Sequence, residues 1–300
     1  MIRHPIPSRF PQFTFEKITP WIQLFKIPLC LPIALSATFG YILHTPNITF
    51  DCILITIGLL FLACGAAGLN SLQEINTDNS LLRTKSRPLV TGVLKRERVT
   101  PIICIVLVCS LLILVTTGSQ VLLLVLLGFF GIVLYNGIYT PLKSFTTFSL
   151  IPGACAGAIP PFIGWVCAGG SPGDYRILAV LLLFFIWQIP HFFMILLKHK
   201  DDYNQAKSVN AVSCFTEQSV KRISFIWLMC FICTSLSITA IPDFLTTSSR
   251  IIFAIIPSTC GLSIAVHLLR GDSPNYQFLF ITLNCALFVS LILVACLQLL

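Results

Sequence analysis

Charge is what this sequence has least of. Lys, Arg, Asp and Glu together make up 10% of its 300 residues, and acids are scarcer than bases, 11 against 19. Soluble domains carry about a quarter charged residues, so a fold bathed in water on all sides is excluded. No segment is of low complexity, no clear internal repeat is present, and no stretch is polar enough to form a soluble domain. The first 20 residues carry Arg3, Arg9 and Lys17 but no apolar core, and the run that follows is too long for a cleaved signal peptide. Cysteine is plentiful, 13 in number, but not organised. Cys104, Cys109, Cys260 and Cys296 stand singly in apolar runs, and Cys230-x-x-Cys233 has no His or second pair nearby. These cysteines read as small apolar filler, which argues against a metal or redox centre.

What remains is apolar. Hydrophobic residues reach 56% and the mean hydropathy is +0.92. A membrane span needs about 20 apolar residues. Nine runs meet that length, at roughly 19–43, 50–72, 101–118, 121–140, 147–168, 176–197, 222–241, 250–269 and 276–299. The prediction is an all-α membrane protein, a nine-transmembrane-helix bundle forming a single polytopic domain over 1–300, with 1–18 as an N-terminal tail. With nine spans, 17 of the 19 basic residues fall on the N-terminal side of the membrane, leaving Arg176 and Arg250 on the other. That imbalance puts the N-terminus and the polar loops in the cytoplasm. The net charge of +8 is therefore topology. It calls for no nucleic-acid partner, although the basic clusters could hold anionic lipid headgroups.

Polar residues concentrate in a few places. Asn70, Glu74 and Asp78 follow one another at i, i+4 and i+8, which lines them up on one helical face, and Arg83, Lys85 and Arg87 come next. Just before them, Gly65-Ala66-Ala67-Gly68 allows a neighbouring helix to come close. Lys26, a few residues into the first run, reads as a lysine that snorkels to the interface. The third and fourth runs read as lipid-facing wall. The fifth holds small residues and then Pro160-Pro161, which should free backbone carbonyls, break the helical ladder and line a cavity. In the sixth, Gln188, Pro190 and His191 are too polar to face lipid and point to a pocket. It exits into Lys200-Asp201-Asp202, which taken alone would be a solvated helix end. Asn284 in the ninth run is suited to a helix–helix hydrogen bond.

The acids Glu74, Asp78, Asp201 and Asp202 share one side with Arg83, Arg87, Lys143, Lys198 and Lys200. Magnesium prefers oxygen ligands and is commonly held by one or two carboxylates together with substrate phosphates. Basic side chains take the remaining phosphate charge. A diphosphate headgroup at the interface with an apolar tail in the bilayer fits this set, and the reaction class it implies is ionisation of a prenyl diphosphate.

The pattern Asn70-x3-Glu74-x3-Asp78 followed by Arg83-Thr84-x2-Arg87-Pro88-Leu89 resembles the first motif of the UbiA superfamily of intramembrane prenyltransferases. Three further stretches are similar to its haem O synthase (protohaem IX farnesyltransferase) branch: Tyr139-Thr140-Pro141-Leu142-Lys143, Ala156 to Pro161 with Gly164-Trp165, and Trp187-Gln188-x-Pro190-His191-Phe192 with Asp201-Asp202-Tyr203. The chain departs from that branch at Lys26-Ile27-Pro28, at Ile151-Pro152 and at Ala206 to Ala211.

The resemblance implies a bundle around a central cavity open sideways to lipid. It implies Asn70, Glu74, Asp78, Asp201 and Asp202 as the catalytic acids and amide, with Asn70, Glu74, Asp78 and Asp202 on Mg2+. Arg83, Arg87, Lys143 and Lys200 would hold the diphosphate, and His191, Gln188, Trp187 and Tyr139 the acceptor pocket. The implied substrates are farnesyl diphosphate and haem b, in a bacterial cytoplasmic (inner) membrane, with hand-over to a haem-processing enzyme or terminal oxidase as a further partner. Two other readings stand beside it: prenyl transfer to another aromatic acceptor such as a quinone precursor, and a polytopic transporter with buried acids.

Overall fold

The computed structural model describes residues 15–205, 215–270 and 274–300. Most of the predicted tail 1–18 and the Ala206 to Ala211 departure lie outside these residues. Among the described residues there is no strand, and nine helical segments are long and apolar enough to cross a membrane. The chain is an integral membrane protein.

Its helices are α1 (Phe15–Phe25), α2 (Ile27–His44), α3 (Phe50–Gln73), α4 (Ile75–Ser80), α5 (Arg96–Val115) and α6 (Val121–Ile132). A π-helical stretch, Val133–Tyr139, continues α6 into the short α7 (Thr140–Leu142). Then come α8 (Leu150–Cys167), α9 (Tyr175–Lys198), α10 (Lys200–Gln205), α11 (Glu217–Thr239), α12 (Thr247–Arg270) and α13 (Tyr276–Leu299).

The first predicted run is two helices. Lys26 adopts φ 50° and ψ 41°, a left-handed conformation that ends α1 and serves as the N-cap of α2. Pro28 sits in the first turn of α2, where its missing N–H costs nothing. The prolines of α8 behave differently from expectation. Pro160 and Pro161 lie inside a continuous helix, Leu150–Cys167, rather than breaking it. Pro160 does line the central cavity, while the carbonyl of Pro161 faces α2.

The most extensive contacts are α2 with α8, α3 with α5, and α11 with α12 and α9. At the first of these the backbones nearly touch. A Cβ on Gly40 would run into the Pro161 carbonyl, and one on Gly164 into that of Ala37. The glycines of α3 do the same for other neighbours, with Gly65 against Leu107 and Gly68 against Ile103 and Phe25. Without water to drive helix association in lipid, such close approach supplies the van der Waals contact that holds the bundle. Trp165, Phe231 and Phe253 fill the interior. By contrast α5 and α6 turn most of their surface outward, as the sequence predicts for a lipid-facing wall.

Overpacking a tight backbone contact costs about 1–3 kcal/mol. We expect Gly40→Val to lower the thermal unfolding midpoint of the detergent-solubilised protein by several degrees. Gly173→Ala, where nothing lies within 4 Å of the added carbon, should leave the midpoint unchanged.

Candidate active site

The acidic face predicted from spacing forms. Asn70, Glu74 and Asp78 are buried, and the backbone keeps i→i+4 hydrogen bonds from Glu74 N to Asn70 O (3.0 Å) and from Asp78 N to Glu74 O (2.7 Å). The helix bends at Glu74, whose φ of −100° and ψ of 8° separate α3 from α4. Each polar group on this face meets a base from another part of the chain. Lys26 Nζ donates to Asn70 Oδ1 at 2.7 Å, Lys143 Nζ pairs with Glu74, and Arg87 Nη1 donates to Asp78 Oδ2 at 2.5 Å. Lys26 is therefore a site residue, where the sequence reading took it for an interfacial one. Burial, and then the nearby Arg87 charge, push its ammonium down to about 8.

The π-helical stretch brings Lys143 into place. Seven residues wind in the wider helix, and the Tyr135 carbonyl accepts from both the N–H and the Oγ1 of Thr140. Wide turns of this kind recur at functional sites. Side-chain amides stitch the stretch and α7 to α3. Asn136 Nδ2 donates to Ala66 O and to Gln73 Oε1, Gln73 Nε2 donates to Asn136 O, and Asn70 Nδ2 donates to Thr140 Oγ1. Asn136 is a positioning residue that spacing alone does not reveal; its one signal is an amide in an otherwise apolar run.

Lys26, Asn70, Glu74, Arg83, Arg87 and Lys143 wall a polar cavity of about 270 Å³ together with Tyr139, Gln188, His191 and Phe192, while Asp78, held by Arg87, is not part of that wall. A second, apolar cavity of about 190 Å³ lies between α2, α3, α6 and α8, with Ala66, Ala67, Ala156 and Pro160 in its wall. Lys26, Tyr135, Gly153 and Gln188 belong to both walls, so the two spaces adjoin. Small residues on α8 make the room. A Cβ on Gly153 would press on the Tyr139 ring, and one on Gly157 would meet Gln188 Nε2.

On the acceptor side, His191 Nδ1 lies 3.0 Å from Asn284 Oδ1, and Asn284 Nδ2 donates to Phe280 O. With its amide nitrogen committed, Asn284 presents an acceptor. His191 Nδ1 then carries the proton, which leaves the Nε2 lone pair free. Asn284 thus makes the predicted helix–helix hydrogen bond, and its partner is the site histidine. Trp187 lies outside the cavity wall. Its Nε1 donates to Leu283 O at 3.3 Å, and its ring packs against His191 with centroids 4.7 Å apart. It supports the histidine from behind.

Three predicted residues sit elsewhere. Asp202 accepts from the backbone N–H groups of Leu82 (2.6 Å) and Arg83 (3.2 Å), so it holds the loop that carries Arg83. Asp201 is exposed. Lys200 Nζ donates to Glu217 Oε2 at 2.8 Å, a pairing that raises the Lys200 pKa, and Glu217 also accepts from the Tyr276 hydroxyl. Lys200 is not part of the polar cavity wall.

Among the described residues, no three His, Cys, Asp or Glu side chains gather as a metal-ligating group. Magnesium does not require one, since one or two carboxylates and substrate phosphates suffice. Glu74 Oε1 fits that use. It is buried and takes the Lys143 ammonium, so it is already placed to face a cation.

Comparison with known proteins agrees with this architecture. Among solved structures, a digeranylgeranylglyceryl phosphate synthase superposes with a TM-score of 0.73 at 14% identity, covering 94% of this chain and 99% of that one. A UbiA homologue from Archaeoglobus fulgidus, bound to GPP and Mg2+, gives 0.71 at 15% identity over 93% of this chain and 99% of its own. Two similar relatives are named protoheme IX farnesyltransferase. The one from Geobacter sulfurreducens is 38% identical over 62% of this chain and 67% of its own length, and that from Oleidesulfovibrio alaskensis is 30% identical over 91% and 94%. The pattern that defines the UbiA prenyltransferase family matches residues 31–292, from the second helix to the last, and so takes in nearly all of the bundle that builds these cavities. By that match the chain belongs to the UbiA prenyltransferase family.

Proposed function

We propose that the chain transfers a farnesyl group from farnesyl diphosphate to a vinyl group of protohaem IX (haem b), giving haem O, at the cytoplasmic face of a bacterial inner membrane. The observation that carries the reading is the junction of a base-rich polar cavity with an apolar one, a shape that suits an amphiphilic diphosphate. The acceptor follows from the relatives named protoheme IX farnesyltransferase, together with an imidazole whose Nε2 is free. Family membership leaves the transporter reading without support.

Lys26, Arg83, Arg87 and Lys143 bind the diphosphate oxygens, and the apolar cavity takes the prenyl chain. Asn70, Glu74 and Asp78 are the oxygen donors we assign to magnesium. When bound, the ion supplies charge neutralisation for the departing diphosphate. Asp202 fixes the loop bearing Arg83. Ionisation breaks the C1–O bond, and both its electrons leave on the diphosphate. The vinyl π electrons of the acceptor then bond to C1, and water captures the resulting cation with loss of a proton, giving the hydroxyethylfarnesyl group. His191, held by Asn284 and Trp187, orients the haem through Nε2.

Purified protein given haem b, farnesyl diphosphate and magnesium should yield a haem heavier by one farnesyl group and one hydroxyl group in mass spectrometry, its vinyl group having become hydroxyethylfarnesyl. If a quinone precursor were consumed instead while haem stayed unchanged, the acceptor assignment would fall and prenyl transfer would stand. Glu74→Gln should lower kcat by about 100-fold or more, the scale of losing one electrostatic stabiliser in a closed site. Lys143→Gln and Lys26→Gln should each raise the KM for farnesyl diphosphate by roughly tenfold or more, as expected for a charged hydrogen bond. Lys200→Gln should raise it far less. Equal losses for Lys143 and Lys200 would contradict the assignment. His191→Ala should cost haem turnover much more than farnesyl diphosphate affinity; intact haem turnover would favour another acceptor.

A further inference from the structure

The wall shared by the two cavities locates the bond that breaks. A molecule with its diphosphate in the polar space and its chain in the apolar one has its C1 atom where the spaces meet, beside Lys26, Tyr135, Gly153 and Gln188. Lys26 is tied to Asn70, Gly153 has no side chain, and Gln188 is an amide. Tyr135 alone among the four offers an aromatic face. Its ring is held in place, standing on the π-helical stretch and stacked on Tyr139 with centroids 5.4 Å apart and planes 26° from parallel. Tyr139 already has a cation, with Lys143 Nζ 5.9 Å from its ring centroid. Among the described residues, no ammonium or guanidinium group forms such a contact with the Tyr135 ring.

We propose that Tyr135 is a catalytic residue whose ring face stabilises the allylic cation formed at this junction. The inference rests on the prenyl-transfer reading above and holds for any acceptor. When the C1–O bond breaks, the electron pair departs with the diphosphate and positive charge spreads over C1 and C3 of the prenyl chain. The quadrupole of the tyrosine ring attracts that charge, and more strongly here than in water, because the apolar cavity offers little solvation. Tyr135 makes and breaks no bond and moves no proton. The new bond at C1 comes from the acceptor's π electrons, so atoms and charge balance without it. Because the cation exists only on the way to product, the ring stabilises the transition state and leaves the ground state alone.

The test replaces position 135 with phenylalanine and with 4-fluoro-, 3,5-difluoro- and 3,4,5-trifluorophenylalanine in the full-length protein. Turnover is measured with farnesyl diphosphate, magnesium and haem b. Fluorine withdraws electron density from the ring face while scarcely changing its shape. Relative to Tyr135→Phe, kcat should fall stepwise with each fluorine, reaching roughly tenfold for the trifluoro side chain, with the KM for farnesyl diphosphate constant within about twofold. A packing role would give a flat series, since all four rings fill nearly the same space and none carries a hydroxyl group. A flat series, or one in which KM rises in step with the loss of kcat, overturns the assignment while wild-type turnover keeps the prenyl-transfer reading intact. A wild-type chain that forms no prenylated product from any acceptor overturns that reading, and this assignment with it.

Discussion

Two carboxylates buried in a membrane protein set the terms for the rest of the structure. Glu74 and Asp78 are 6% and 4% exposed. An unpaired buried carboxylate costs several kcal/mol, and a low-dielectric surrounding makes the cost of leaving it unpaired higher still. Each therefore needs a cation close by, and its own helix supplies none. Arg87 comes from the loop after α4, and Lys143 from the end of the fourth span, far along the chain. Lys26, from the break before α2, completes the set through Asn70. Three separate segments converge on one helical face because that face carries charge that cannot be left alone.

The backbone departs from regular helix at three places around that face. The left-handed Lys26, the bend at Glu74 and the π-helical turn at Val133–Tyr139 all border the polar cavity or hold its walls. A non-glycine residue at positive φ is strained by itself, and it persists only where neighbouring contacts hold it. At Lys26 those contacts include the ammonium bond to Asn70 and the carbonyl bonds that start α2. Strain at the site is offset by packing in the wall, where glycines on α2 and α8 bring the helices into direct backbone contact.

Much of this was legible in the residues, and the reason is periodicity. Hydrophobic runs of membrane length gave nine spans, and the spacing of Asn70, Glu74 and Asp78 gave one face, because both follow from helix geometry alone. Pairing was less legible, since a sequence does not say which base meets which acid. Lys200 lies next to Asp201 and Asp202 in the chain, yet turns to Glu217. Lys26 was hidden by an ordinary expectation about lysines near membrane interfaces, and only Pro28 hinted that the helix restarts there. Tyr135 and Asn136 stayed out of view because their roles depend on a π-helical turn, for which the run Val133–Tyr139 has no signature. The expectation of a cavity wall holds for Pro160 and not for Pro161, and the expected break does not form. Helix α8 runs through both prolines because the surrounding bundle holds the chain in place.

The pairing of acids with bases bears directly on how such a site takes up its ligand. On the prenyl-transfer reading, Lys143 and Arg87 exchange a carboxylate for phosphate oxygens when the substrate enters. Their own charges remain matched throughout, so the bases gain a ligand with little new desolvation. The carboxylates of Glu74 and Asp78 are then left buried with no counter-charge, and the burial that made them need a base makes them need another cation. A divalent ion would meet that need, and Glu74 Oε1, which takes the Lys143 ammonium, is placed to face such a cation. Neither partner binds well alone under this logic. A diphosphate without a metal strands the acids, and a metal without the diphosphate leaves Lys26, Arg87 and Lys143 crowded around it. On that reading, metal and substrate are coupled through the same two ion pairs that hold Arg87 and Lys143 on the acidic face.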